Sequence, residues 1–161
     1  MINASRSRRA VVLLVVIGAL LTAANAQAII QVQRGISGVR LGMSPGRVKA
    51  SLGTPAKVKK GKNDFGRFTQ FVYTGGITVT FQGDANVTAV ATTGRGDLTP
   101  SGVGVGSTEN QVRNGVPGVT CQTVAGTRSC QVGALLPGRR VTDFLFRNGK
   151  VSRVTVGFVI D

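Results

Sequence analysis

The sequence predicts an exported α+β protein of two tandem repeats, each a short helix packed on an antiparallel β-sheet of about four strands. Three observations lead there. The chain opens with a basic, then apolar, then small-residue succession that marks an export signal. A motif beginning at Gly38 recurs 64 residues later, at Gly102 (102 − 38 = 64). Phe, Val and Thr come in short runs between glycine-bearing turns, with 23 glycines and no tryptophan among 161 residues, which favours strands over a helical bundle.

In the opening segment, Arg6, Arg8 and Arg9 precede an apolar run over residues 10–21. Two Ala-x-Ala sites follow, Ala24-Asn25-Ala26 and Ala26-Gln27-Ala28, so residues 1–26 read as a signal peptide cleaved after position 26 or 28. The apolar run is shorter than the roughly 20 residues a spanning helix needs, so no stable membrane anchor is expected after cleavage. No cysteine lies near the site to carry a lipid. Removing three arginines from a formal charge of +14 leaves 14 − 3 = +11, a field that attracts polyanions of any kind.

The two repeats are expected over residues 29–97 and 98–161. Gly38-Val39-Arg40-Leu41-Gly42-Met43-Ser44 matches Gly102-Val103-Gly104-Val105-Gly106-Ser107-Thr108, and the offset holds through Val48/Val112 and Lys49/Arg113. In the first copy Ser44 is placed to cap a helix with Pro45 at its first position and Gly53 at its end. Thr108 begins the matching helix, which Gly115 and Pro117 stop. Strands then declare themselves by their turns. Residues 71–73 and 77–81 flank Gly75-Gly76, and residues 83–86 turn the chain into a run over 87–92. Residues 144–146 and 151–160 flank Asn148-Gly149, a pair suited to positive φ at both central positions. Residues 94–106, with Pro100, read as the connection between repeats. The expected core comprises Val39, Leu41, Val48, Leu52, Phe71, Val79, Phe81, Val105, Val112, Phe144, Phe146, Val154 and Val156.

Cys121 and Cys130 are the only cysteines of an exported chain, so a disulfide is expected across a hairpin tipped by Ala125-Gly126. The Cys-x-x-Cys spacing of a redox pair is missing.

The residue inventory argues against catalysis. Without histidine there is no Ser-His-Asp triad, no Cys-His pair and no imidazole metal ligand. The six acids, Asp64, Asp84, Asp97, Glu109, Asp143 and Asp161, form neither a dense pair nor a calcium loop. Ser44 has Lys49 nearby but no nucleophile motif, and helix capping accounts for it. The glycine runs complete neither a phosphate loop nor a dinucleotide fingerprint. No catalytic residue, metal ligand or cofactor is therefore expected.

The densest charge cluster is Lys57, Lys59, Lys60 and Lys62, with Arg67 nearby. Lys57-Val58-Lys59 alternates like a strand with one wet face, which makes these five residues either a solvated hairpin or a contact for an anionic partner. Nucleic acid is not expected, because the lysines lack an aromatic stacking platform and the chain is exported.

Residues Val39-Arg40-Leu41-Gly42-Met43-Ser44 with Val48 and Leu52-Gly53-Thr54-Pro55, and residues 103–108 with Val112, resemble the opening of a known superfamily. It includes the small lipoprotein of the outer-membrane barrel-assembly machine (BamE/SmpA) and the secreted β-lactamase inhibitor protein (BLIP). The resemblance extends to tandem duplication and a cysteine-closed hairpin after the helix. It implies helices on one face of an antiparallel sheet and function by protein–protein contact. The expected role is thus a non-enzymatic interaction module of the cell envelope or medium. The alternatives are an inhibitor of a secreted enzyme and a binder of an anionic wall polymer. Its contact surface is expected on the open sheet face and the basic hairpin.

Overall fold

A computed structural model describes residues 29–160; the expected signal peptide lies outside them. In chain order the elements are β1 (Ile30–Gln31), β2 (Gly35–Ile36), β3 (Val39–Arg40), α1 (Pro45–Leu52), β4 (Lys57–Asn63), β5 (Gly66–Val72), β6 (Ile77–Gln82), β7 (Ala89–Thr92), α2 (Glu109–Gly115), β8 (Thr120–Val124), β9 (Thr127–Val132), β10 (Arg140–Arg147) and β11 (Lys150–Phe158).

The helix ends are where local chemistry puts them. Ser44 accepts a hydrogen bond from the Arg47 N–H at 3.5 Å, Pro45 occupies the first turn, and Gly53, at φ 80°, closes the helix with its N–H on the Lys49 carbonyl. Thr108 and Gln111 form a reciprocal capping box: the Gln111 N–H reaches Thr108 Oγ1 at 3.3 Å, and the Thr108 N–H reaches Gln111 Oε1 at 2.8 Å. Both hairpin tips take positive φ, as Asn148-Gly149 favours at 50° and 72°; Ala125 and Gly126 adopt the same turn at 46° and 77°, although alanine does not itself favour it. Cys121 and Cys130 stand opposite each other on β8 and β9 and are joined.

Strand alternation sets a core face and an open face. Phe71, Val79, Phe81, Val90, Phe144, Val154 and Val156 point to the core with Val48 of α1 and Val112 of α2, so both helices cover the same side of the sheet. Ten of the thirteen expected core residues are buried; Leu41, Leu52 and Val105 are partly buried against them. Ile30, Ile36 and Val39 of the three-stranded sheet β1-β2-β3 are also buried, and β2 lies against β7 and β11.

The expected fold class needs correction. The protein is mostly β: a single eight-stranded antiparallel sheet, ordered β4-β5-β6-β7-β11-β10-β9-β8, plus the three-stranded sheet, rather than two separate helix-on-sheet units. The reason is physical. Two separate four-stranded sheets would each leave a last strand, β7 or β11, with an unpaired apolar edge; pairing these strands removes both edges. The junction is close, since a Cβ on Gly157 would lie 3.2 Å from that of its partner Ala89. The helices, at eight and seven residues, are also too short to cover the sheet alone, and β1-β2-β3 fills the gap.

The 64-residue offset reappears in the backbone pairing. The Gly42 N–H donates to the Val87 carbonyl and the Val87 N–H to the Met43 carbonyl, both at 2.8 Å. The Gly106 N–H donates to the Val151 carbonyl and the Val151 N–H to the Ser107 carbonyl, again at 2.8 Å. At the junction Ala91 faces Thr155, its own counterpart in the offset (155 − 91 = 64).

Candidate functional site: an arginine-rimmed cleft

An open cleft of about 1060 Å³ lies between β1-β2, the end of α2 and the loop entering β10. Its floor is apolar, with Ile30, Val32 and Val116, and its rim carries Arg34, Arg139 and Arg140. Arg34 and Arg140 also line an adjoining recess with Arg40.

Local geometry explains the convergence. The turn after β1 is fastened to β10 by the Gln33 N–H, which donates to Thr142 Oγ1 at 2.7 Å, and by Gln33 Nε2, which donates to the Arg140 carbonyl at 2.9 Å. That closeness requires glycine at position 133, where φ is 107° and a Cβ would sit 2.4 Å from the Arg140 carbonyl oxygen. Residues 136–139 form a turn closed by the Arg139 N–H on the Leu136 carbonyl at 3.0 Å, with Pro137 and Gly138 at its centre. Arg34 and Arg140 are thereby brought to one rim although 106 positions separate them (140 − 34 = 106).

Among the described residues the rim is electrostatically uncompensated. The ion pairs among the described residues both fall on Glu109, with Arg113 at 2.7 Å and Arg128 at 2.6 Å. Among the described residues no Asp or Glu lines the cleft. Arg140 lies over the Phe158 ring, 5.8 Å from its centroid, which orients the guanidinium without neutralising it.

The other polar groups have structural employment. Asp97, 6% exposed, accepts hydrogen bonds from Ser37 Oγ at 3.1 Å and from Thr92 Oγ1, tying the turn between β2 and β3 to the end of β7. Glu109 is close to both Cys121 and Cys130, but the sulfurs are bonded to each other and the carboxylate is taken by two arginines, so the group offers no metal site. Hydrogen bonds from Arg128 and then Arg113 lower the Glu109 carboxyl from 4.5 to about 2. A carboxyl depressed by folding contributes its stability above its unfolded value and loses it as pH falls through the folded one. Glu109→Gln is therefore expected to lower the melting temperature at neutral pH, and the gap from wild type should close between about pH 4.5 and pH 2. A gap unchanged across that window would mean that the ion pair does not stabilise the fold.

The sequence-predicted contact residues do not form one patch. Lys57, Lys59, Lys60 and Lys62 lie on β4, an outer strand of the large sheet that is exposed nearly throughout rather than wet on one face. Lys59 stands in line with Gln70 and Thr80 on the open face, whereas Lys60 is opposite Thr69 on the other; Arg67 is opposite Lys62. Lysines on an outer strand discourage pairing with other chains. The open face holds a polar recess around Ala89 and Ala91, flanked by Thr78, Thr80 and Thr155, with no large apolar anchor at its centre. Asp143, on the same face, has its pKa raised by burial and held back by a hydrogen bond from Ser129. The arginine cleft escaped sequence reasoning because its members are distant in the chain; the local signal was Arg139-Arg140, two residues after Leu135-Leu136.

No protein-family model and no curated protein sequence matches the chain. Two solved structures are similar in fold. A DUF4309 family protein (YjgB) from Bacillus subtilis shares 19% identity at a TM-score of 0.50, over 82% of this chain and 88% of that one. An extracellular protein containing a SCP domain from Bacillus anthracis shares 10% identity at a TM-score of 0.51, over 73% of this chain and 44% of that one. The chain thus spans less than half the length of the second. These neighbours overturn the resemblance to BamE/SmpA and BLIP. The segments that suggested it, residues 42–44 and 106–108, make a backbone bridge and then a helix cap, so their likeness records local geometry rather than kinship. The disulfide and the extracellular neighbour fit an extracytoplasmic protein.

Proposed function

We propose that this is a non-enzymatic, extracytoplasmic binding module that holds an anionic envelope partner at the arginine-rimmed cleft. The observation that carries the reading is the convergence of Arg34, Arg139 and Arg140 on one apolar-floored cleft with no carboxylate in its lining among the described residues. Guanidinium groups that folding leaves without carboxylate partners are available for carboxylate or phosphate, which they grip in forked pairs. The net positive charge adds long-range attraction without specificity.

The test is binding of inorganic polyphosphate, comparing two variants that remove equal charge. Arg34→Gln/Arg139→Gln/Arg140→Gln is expected to weaken binding on the order of a hundredfold, the loss of two charge-assisted hydrogen bonds. Lys57→Gln/Lys59→Gln/Lys60→Gln is expected to stay within about threefold of wild type. Equal losses would mean that bulk charge binds the polymer and the cleft does not.

A further inference from the structure

We propose that the anionic partner at this cleft is a lipid surface, which the loop over residues 133–139 enters with Leu135 and Leu136. The inference rests on the anion-binding reading of the cleft and names its partner.

Leu135 and Leu136 are 56% and 57% exposed, adjacent, and at the tip of the loop that bounds the cleft. The turn does not call for them. Its geometry is set by Pro137 and Gly138, with Gly138 at φ 73°, and it would close equally well after polar residues. The core does not use them either, since neither belongs to the buried cluster or to the apolar side chains packed against it. A third exposed apolar residue, Ile160 at 38%, follows Val159, whose backbone pairs with Gly138 and Arg139. Ile29, Val58, Phe65 and Val124 are exposed as well, but on other segments; Leu135, Leu136 and Ile160 are gathered at one tip.

Cations ring that tip. Arg139 and Arg140 follow the leucines after the Pro137-Gly138 turn, and Arg34 lines the same cleft. A soluble polyanion would engage the arginines but leave both leucines in water. An anionic bilayer engages both sets together: apolar side chains enter the headgroup–acyl boundary while arginines remain among the phosphates. Among the described residues no helix is long and apolar enough to cross a membrane, and the arrangement suits shallow, reversible docking.

The experiment is co-sedimentation of the exported, purified protein with vesicles of phosphatidylglycerol and phosphatidylcholine, with phosphatidylcholine alone, and in parallel its binding to inorganic polyphosphate. Wild type is expected to sediment with the anionic vesicles only. Leu135→Ser/Leu136→Ser should weaken vesicle binding about tenfold while leaving polyphosphate binding unchanged. Arg139→Gln/Arg140→Gln should weaken vesicle binding about twenty-five-fold, near fivefold for each charge, and weaken polyphosphate binding as well. Both pairs are exposed, so thermal unfolding should match wild type. Vesicle binding that survives the leucine change overturns the insertion. Polyphosphate binding without vesicle binding overturns the lipid assignment and leaves the cleft as a site for a soluble polyanion. Binding to neither overturns both readings.

Discussion

Phe81→Ala is expected to destabilise the protein by about 3–5 kcal/mol and to shift the unfolding of both halves of the sheet together. The Phe81 ring is fully buried and meets Phe71 edge-on, with centroids 4.8 Å apart. Its removal opens a cavity between β6 and β5 that the paired strands cannot collapse into without losing register. A loss of that size is a large part of the 5–15 kcal/mol that typically holds a domain together. The shared shift follows from the β7–β11 ladder, which ties the first four strands of the large sheet to the last four. Urea unfolding should be followed by the fluorescence of Tyr73, the sole tyrosine, which is buried beside β5, and by amide exchange on β9 to β11. A midpoint that moves for Tyr73 while the β9–β11 amides keep wild-type protection would show two independently folding halves.

Asp97→Ala is expected to cost about 3 kcal/mol, because it removes a buried carboxylate and strands the hydroxyls it serves. Its consequence should reach the cleft without touching a rim arginine. Ser37, held by Asp97, sits in the turn between β2 and β3, and this small sheet carries Arg34 and Arg40. Polyphosphate affinity should therefore fall in Asp97→Ala although every rim cation remains. Asp97→Asn, which keeps the shape and one acceptor, should recover part of both losses. Unchanged affinity alongside lowered stability would mean that Gln33, bonded to β10, holds the rim by itself.

Features governed by neighbours in the chain were legible in the sequence. Ser44 with Pro45, Thr108, the Asn148-Gly149 tip and the Cys121–Cys130 pair each depend on a few adjacent residues or on a chemical default, and each stands where it was expected. Features governed by which surfaces meet were not. Alternation shows that Val90 and Val156 face inward, but not that their strands pair with each other. Residues 30–40 alternate too briefly to announce three two-residue strands, whose existence depends on the sheet beneath them. The same asymmetry governs the site. The lysines of β4 attract attention because they are close together in the chain, yet alternation divides them between two faces. The arginines that do converge are brought together by Gln33 and Gly133, neither of which signals a site in a linear reading.

The junction of β7 with β11 also bears on how the chain comes to be folded. A polypeptide is made from its N-terminus, and β11 is the last strand to appear, yet its place is between β7 and β10. Until Lys150–Phe158 has emerged, the nascent chain holds two meanders whose inner strands, β7 and β10, lack the neighbour that joins them. The keystone is therefore set last. Truncation before Lys150 produces the form with the most open strand edges, and so the form most prone to pair with another copy of itself.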